Sequence, residues 1–142
     1  MARAILITGG SRGFGLSFAE ALLGAGYSVA ITAARDQVAL DATATDLASK
    51  YRAARVLGLV ADAGVAAEAD RTVTEVLDRF GRVDILINNA GRGTIEINLS
   101  FHREVFPFWE IDPVAWSGII QTNVTGPFLM ARAVAPHMVK SG

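Results

Sequence analysis

Short apolar runs alternate with helix-length stretches along this chain, and that alternation leaves few folds open to it. Residues 3–8, 28–33, 56–61 and 83–88 are rich in Ile, Val and Leu and do not alternate strictly with polar residues. That is the pattern of strands covered on both faces. Between the runs, apolar residues recur at helical spacing. Phe14, Phe18, Leu22 and Ala25 form a stripe over residues 13–25, with Gly26 as its stop. Leu40, Ala44, Leu47 and Tyr51 line one face of a second helix, for which Asp36 is the expected N-cap. Ala66, Ala69, Val73, Val76 and Phe80 form the stripe of a third, stopped by Gly81. Strand–helix alternation at this spacing calls for right-handed βαβ crossovers and a parallel sheet. The expected class is therefore α/β, doubly wound in the order 3-2-1-4, with helices on both faces.

After the fourth run the pattern changes. Residues 91–110 are irregular and hold Phe101, Phe106, Phe108 and Trp109. Aromatic side chains at such density fill a core or an interface, or line a substrate pocket. Asp112 and Pro113 then carry the signature of a helix start, as N-cap and first helical residue. The helix is expected to pass Trp116, Ile119, Ile120 and Asn123, continue through Gly126-Pro127, and end near Met138.

Composition narrows the partners. Apolar residues make up 51% of the 142 residues and charged residues 19%, which suits strands buried on both faces or a large subunit interface. A net charge of −1 supplies no general attraction to nucleic acid or to an anionic membrane, and neither is expected as a partner. With no cysteine, disulfides and thiolate zinc sites are excluded. No stretch approaches the roughly 18 apolar residues of a membrane span, and the run at Ala4 to Ile7 is too short for a signal peptide. The expected location is the cytoplasm. His102 and His137 do not stand at metal-ligand spacing and read as surface residues, and no metal is expected. Glu96 and Glu104 form no paired acid/base arrangement.

The strongest local signal is Thr8-Gly9-Gly10-Ser11-Arg12-Gly13-Phe14-Gly15, between the first strand and the first helix. Glycines there permit a tight turn and a close approach of backbone to phosphate. The helix start adds free N–H groups and the positive end of its dipole. The spacing of Gly9, Gly13 and Gly15 fits neither G-x-G-x-x-G nor the lysine-bearing P-loop. It fits T-G-x-x-x-G-x-G. Asp62 then ends the third strand, Asn88-Asn89-Ala90-Gly91 ends the fourth, and Asn123 lies in Thr122-Asn123-Val124-Thr125-Gly126. In this combination the chain resembles the short-chain dehydrogenase/reductase family over essentially all of its length.

The resemblance implies a Rossmann-type dinucleotide-binding domain over residues 1-142, and hydride transfer between a nicotinamide cofactor and a carbonyl or alcohol substrate. It places Gly9, Ser11, Arg12, Gly13, Phe14 and Gly15 at the cofactor. It sets Asp62 and Ala63 at the adenine, and Asn89, Ala90 and Gly91 near the nicotinamide ribose. Asn88 and Asn89 also tie strand ends together in this family. An acid at the end of the second strand would favour NAD. This chain has Ala33-Ala34-Arg35 there, and Arg12 and Arg35 together suit a 2′-phosphate. NADP is the expected cofactor. NAD stays open, because Asp36 would serve as the ribose acid in a shifted register.

Of the family's Asn-Ser-Tyr-Lys catalytic set, the resemblance identifies only Asn123. Pro127 has no N–H to donate to the Asn123 carbonyl four residues earlier, which leaves that carbonyl open to a water, as the family's proton relay requires. The tyrosines are Tyr27 and Tyr51 and the lysines Lys50 and Lys140, so no Y-x-x-x-K is present. In the family the serine and that motif follow a fifth strand. The expectation is a domain incomplete at its C-terminal end, truncated after the long fourth helix, inactive alone and with residues 83–88 left as an apolar edge. A homo-oligomer is expected, since such enzymes commonly use the long helix in dimer contacts. A non-catalytic module that binds or senses NAD(P) is the alternative to an enzyme.

Overall fold

The computed structural model describes residues 2–100 and 102–141. Phe101, one of the aromatic residues singled out above, lies outside the described residues. The elements in chain order are β1 (Ala4–Ile7), α1 (Gly13–Gly24), β2 (Ser28–Ala33), α2 (Gln37–Lys50), β3 (Val56–Val60), α3 (Ala66–Phe80), β4 (Ile85–Ile87), α4 (Pro113–Ile120) and α5 (Gly126–Ser141). All strand pairs are parallel, and the sheet order is β3-β2-β1-β4, the doubly wound order expected.

Every residue of β1 and β2 is buried, because both faces of the sheet are covered. Successive side chains point to opposite faces. Ile5, Ile7, Val29 and Ile31 accordingly enter one core with Ala19, Leu23, Leu40 and Leu47 of α1 and α2. Leu6 and Ala30 enter the other, with Val73 and Val76 of α3 and Met130 and Val134 of α5. The two layers make the sheet doubly wound.

Helix ends follow local chemistry. The Asp36 carboxylate accepts from the Ala39 N–H at 3.0 Å and caps α2. Asp112 does the same for α4, accepting from the Val114 N–H at 3.1 Å with Pro113 in the first turn. Gly81 closes α3 in the left-handed conformation at φ 76, its N–H donating to the Leu77 carbonyl. On α3, Ala69, Val73 and Val76 are buried as expected, while Ala66 in the first turn is exposed.

The face of α1 is a correction. Its buried residues are Gly15, Ala19 and Leu23, whereas Phe14 is 79% exposed and Phe18 43%. Periodicity suggested the bulky stripe, but α1 starts hard against the glycine loop, where Gly15 has no room for a β-carbon. The small residues therefore face inward, and the phenylalanines are turned out.

Between α4 and α5 the helix widens into one π turn, Gln121–Thr125, with the Gly126 N–H bonded to the Gln121 carbonyl. Pro127 cannot close the ordinary bond to residue 123, and insertion of a π turn is a common response. The helix passes Gly126-Pro127 as expected and runs on to Ser141. Its outward face carries Trp116, Val124 and Phe128, each more than half exposed.

Candidate functional site

In a parallel sheet all strands end on the same side, so the loops after β1, β2, β3 and β4 meet at one edge. There they surround a cavity of about 400 Å³. It is lined by Gly9, Ser11 and Arg12 after β1, Ala33 to Asp36 after β2, Ala61 to Ala63 after β3, and Asn89 to Arg92 after β4. Thr122 of the π turn and Glu96 complete the wall.

The loops after β1 and β4 are stitched together. The buried Thr8 hydroxyl accepts from the N–H groups of Asn89 and Ala90, both at 3.0 Å. The Asn89 side-chain amide donates back to the carbonyls of Thr8 (3.0 Å) and Gly9 (2.9 Å). This approach is possible only with glycine at position 9, where φ is +65 and a β-carbon would stand 2.9 Å from the Ala90 Cα. Gly15 meets the same junction from α1: its β-carbon would overlap the Gly9 carbonyl oxygen and stand 2.6 Å from Asn89 Nδ2. The loop is tied to the β2 side as well. Gly10 N–H donates to the Thr32 carbonyl at 2.9 Å, and the Thr43 hydroxyl of α2 donates to the Ser11 carbonyl at 3.0 Å. No side chain caps the start of α1. Its first N–H groups and its dipole are left for an anion.

The carboxylates of the rim are engaged locally. Asp62 accepts from the Gly64 N–H at 2.9 Å, while its own N–H donates to Glu68 at 2.6 Å. Asp36 is occupied with the cap of α2. The cations are not engaged. Among the described residues, the side chains of Arg12, Arg35 and Arg92 make no ion pair and no hydrogen bond.

Of the residues expected at the cofactor, Gly9, Ser11, Arg12, Arg35, Asp62, Ala63, Asn89, Ala90 and Gly91 all line the cavity. Gly13, Phe14 and Gly15 do not line it. Gly13 turns the chain at φ 56, Gly15 lets α1 approach, and Phe14 projects from the first turn of the helix. Asn123 also stands outside the lining and grips residue 92: its Oδ1 accepts from the Arg92 N–H at 2.8 Å and its Nδ2 donates to the Arg92 carbonyl at 2.9 Å. Sequence reasoning missed Thr43, Arg92 and Thr122. Thr122 stands beside Asn123 in its motif without a role assigned to it, whereas Thr43 and Arg92 belong to no motif and only their contacts reveal them.

An uncapped helix start, a loop whose glycines bring backbone to the surface, and unpaired guanidinium groups fit a dinucleotide, its phosphates above all. The sequence pattern of the family described as short chain dehydrogenase matches residues 3–142. The chain belongs to the short-chain dehydrogenase/reductase family. A 3-oxoacyl-[acyl-carrier-protein] reductase of Synechocystis sp. is 31% identical over 141 residues, 98% of this chain and 51% of that protein. The solved 3-ketoacyl-(acyl-carrier-protein) reductase of Brucella melitensis complexed with NADH has a TM-score of 0.82 at 31% identity, over 98% of this chain and 51% of its own. The L-sorbose reductase of Gluconobacter frateurii complexed with NADPH and L-sorbose has a TM-score of 0.84 at 29% identity, over 99% and 49%. Members of this family thus bind nicotinamide cofactors of both kinds and act on small molecules. The chain spans about half the length of the relatives it matches. Among the described residues, no helix is long and apolar enough to cross a membrane.

Proposed function

We propose that this short-chain dehydrogenase/reductase chain is an NADP(H)-binding domain serving hydride transfer between the nicotinamide and a carbonyl or alcohol carbon of a small substrate. The observation that carries the reading is the pair of unpaired arginines, Arg12 and Arg35, on the cavity wall beside the glycine loop. With Ala33 and Ala34 at the end of β2 and Asp36 committed to its cap, that corner offers positive charge where NAD would need an acid.

The residues divide the cofactor between them. The loop from Gly9 to Gly15 and the free start of α1 hold the pyrophosphate, and Arg12 and Arg35 clamp the 2′-phosphate. Asp62 and Ala63 border the adenine. Asn89, Ala90 and Gly91 border the nicotinamide ribose, and Phe14 contributes from the first turn of α1, its ring exposed. When bound, the nicotinamide supplies the hydride donor or acceptor. Asn123 enters catalysis by fixing the backbone at Arg92 and by offering its carbonyl to the proton relay. Because the chain has no Y-x-x-x-K, it binds cofactor without turnover by itself. The reading includes a cytoplasmic homo-oligomer, for which the open apolar face of α4 and α5 provides the surface.

Calorimetric titration tests the assignment. NADPH is expected to bind more tightly than NADH, and loss of either arginine should cut NADPH affinity by about 10-fold, as for one charge-assisted contact, with NADH little changed. Absence of binding by both nucleotides refutes the dinucleotide reading. Equal losses for both would assign the arginines elsewhere than the 2′-phosphate.

A further inference from the structure

Arg12 and Arg35 have a use in the reading above, whereas the third arginine of the cavity, Arg92, does not. Its position is built with care. Asn123 holds both backbone polar groups of residue 92, at 2.8 and 2.9 Å, and so fixes the direction in which the side chain leaves. The guanidinium then lies over α4 at Gly118, where a β-carbon would stand 2.8 Å from its Nη1. Glycine is an unfavourable residue inside a helix, and here its lack of a side chain keeps the space that the guanidinium fills.

The residue is half-buried and lacks a counter-charge. Glu96 lines the same cavity but does not pair with it, and Asp36 and Asp62 are engaged by backbone N–H groups. A partly desolvated cation without a partner is unfavourable unless an anion arrives from outside. The sheet order separates Arg92 from the phosphate-binding arginine after β2. Arg35 follows β2 and Arg92 follows β4, on opposite sides of β1 and its glycine loop. The two strands are two spacings apart, about 10 Å, so the two arginines are rooted on opposite sides of the loop. Arg92 also follows directly on Gly91, beyond the nicotinamide ribose.

We infer that Arg92 recognises an anionic group, a carboxylate or phosphate, carried by the carbonyl substrate. This rests on the dinucleotide reading, which fixes the substrate end of the cavity. A guanidinium offers two parallel N–H donors to either anion.

The test uses the 142-residue chain saturated with NADP⁺, titrated by NMR with acetoacetate and with its neutral methyl ester. Acetoacetate is expected to bind at least about 10-fold more tightly than the ester, as one charge-assisted contact gives. Arg92→Gln should bring that ratio near one and keep NADP⁺ affinity within about twofold, while Arg92→Lys should retain part of the preference. Gly118→Ala, which pushes the end of the flexible side chain aside, should lower the ratio when Arg92 is present and have no effect with Arg92→Gln. Equal or undetectable binding of the two probes, or a preference that survives Arg92→Gln, overturns the inference and leaves the cofactor assignment standing. A loss of about 10-fold in NADP⁺ affinity with Arg92→Gln would hand this arginine to the cofactor's own phosphates and overturns it equally. Failure of the unsubstituted chain to bind NADP⁺ would remove the dinucleotide reading and the inference with it.

Discussion

Replacing Gly15 by alanine places a methyl group at the junction of α1, the glycine loop and Asn89. The added carbon would overlap the Gly9 carbonyl oxygen and stand 2.6 Å from Asn89 Nδ2 and 2.9 Å from the Gly10 Cα. Two of these neighbours are backbone, and the third is held by hydrogen bonds to Thr8 and Gly9, so nothing nearby yields cheaply. Overpacking of this kind costs about 1–3 kcal/mol. Loss of the two Asn89 amide bonds adds roughly 1 kcal/mol each, and the better helix propensity of alanine returns about 1 kcal/mol. The net destabilisation is about 2–4 kcal/mol. Gly13 is the informative control. It belongs to the same motif, yet outside its own helix turn and chain neighbours nothing lies within 4 Å of the position its β-carbon would take, and its φ of +56 is what opposes alanine. That strain is worth roughly 1–2 kcal/mol, and no propensity gain offsets it at a positive φ. Urea unfolding of the two variants and the parent chain decides the matter. Gly15→Ala should lower the midpoint clearly more than Gly13→Ala, and should weaken NADPH binding through the displaced loop. A Gly13→Ala variant as unstable as Gly15→Ala would refute the assignment of Gly15 to steric approach.

Burial works against ionisation of Asp84, but hydrogen bonds from Arg82 and the Ala4 N–H, with the charges of Arg82 and Arg3, outweigh it and hold its carboxyl below the ordinary value. A depressed folded value stabilises the protein above the unfolded pKa of about 3.9, and that stability is lost as pH falls through the folded value. Asp84→Asn should therefore be less stable than the parent at pH 7, the gap narrowing below about pH 4; a gap constant with pH would count against the charge. Thr72 is fully buried on α3, and its hydroxyl finds no hydrogen-bond partner among the described residues. Thr72→Val should raise the urea midpoint by about 1 kcal/mol of stability, and a fall would reveal a partner for the hydroxyl.

Much of the architecture was legible in the residues alone, because it depends on neighbours in the chain. β-branched runs between helical stripes pointed to a parallel sheet with right-handed crossovers, and β3-β2-β1-β4 is the doubly wound form of it. Asp36, Asp112 and Gly81 end their helices through contacts with residues two to four positions away. Pro127 likewise announced the break in the helix ladder by the N–H it lacks.

The inward face of α1 was not legible. Hydrophobicity favoured Phe14 and Phe18, but the glycine loop and Asn89 leave no room for a side chain at Gly15, a limit set partly by a residue far off in the chain. The site shows the same division. The motif at Gly9, Gly13 and Gly15 and the residues at Asp62 and Asn89 could be named from their order in the chain. What holds them could not: Asn89 meets Thr8 across 81 positions, Thr43 reaches Ser11 across 32, and Asn123 grips Arg92 across 31. Local sequence determines which elements form, since propensity, caps and turns act over one helical turn. Tertiary packing alone decided which side chains meet at the cavity, and that Arg92 stands in it without a counter-charge, because those contacts exist only once the strands lie side by side.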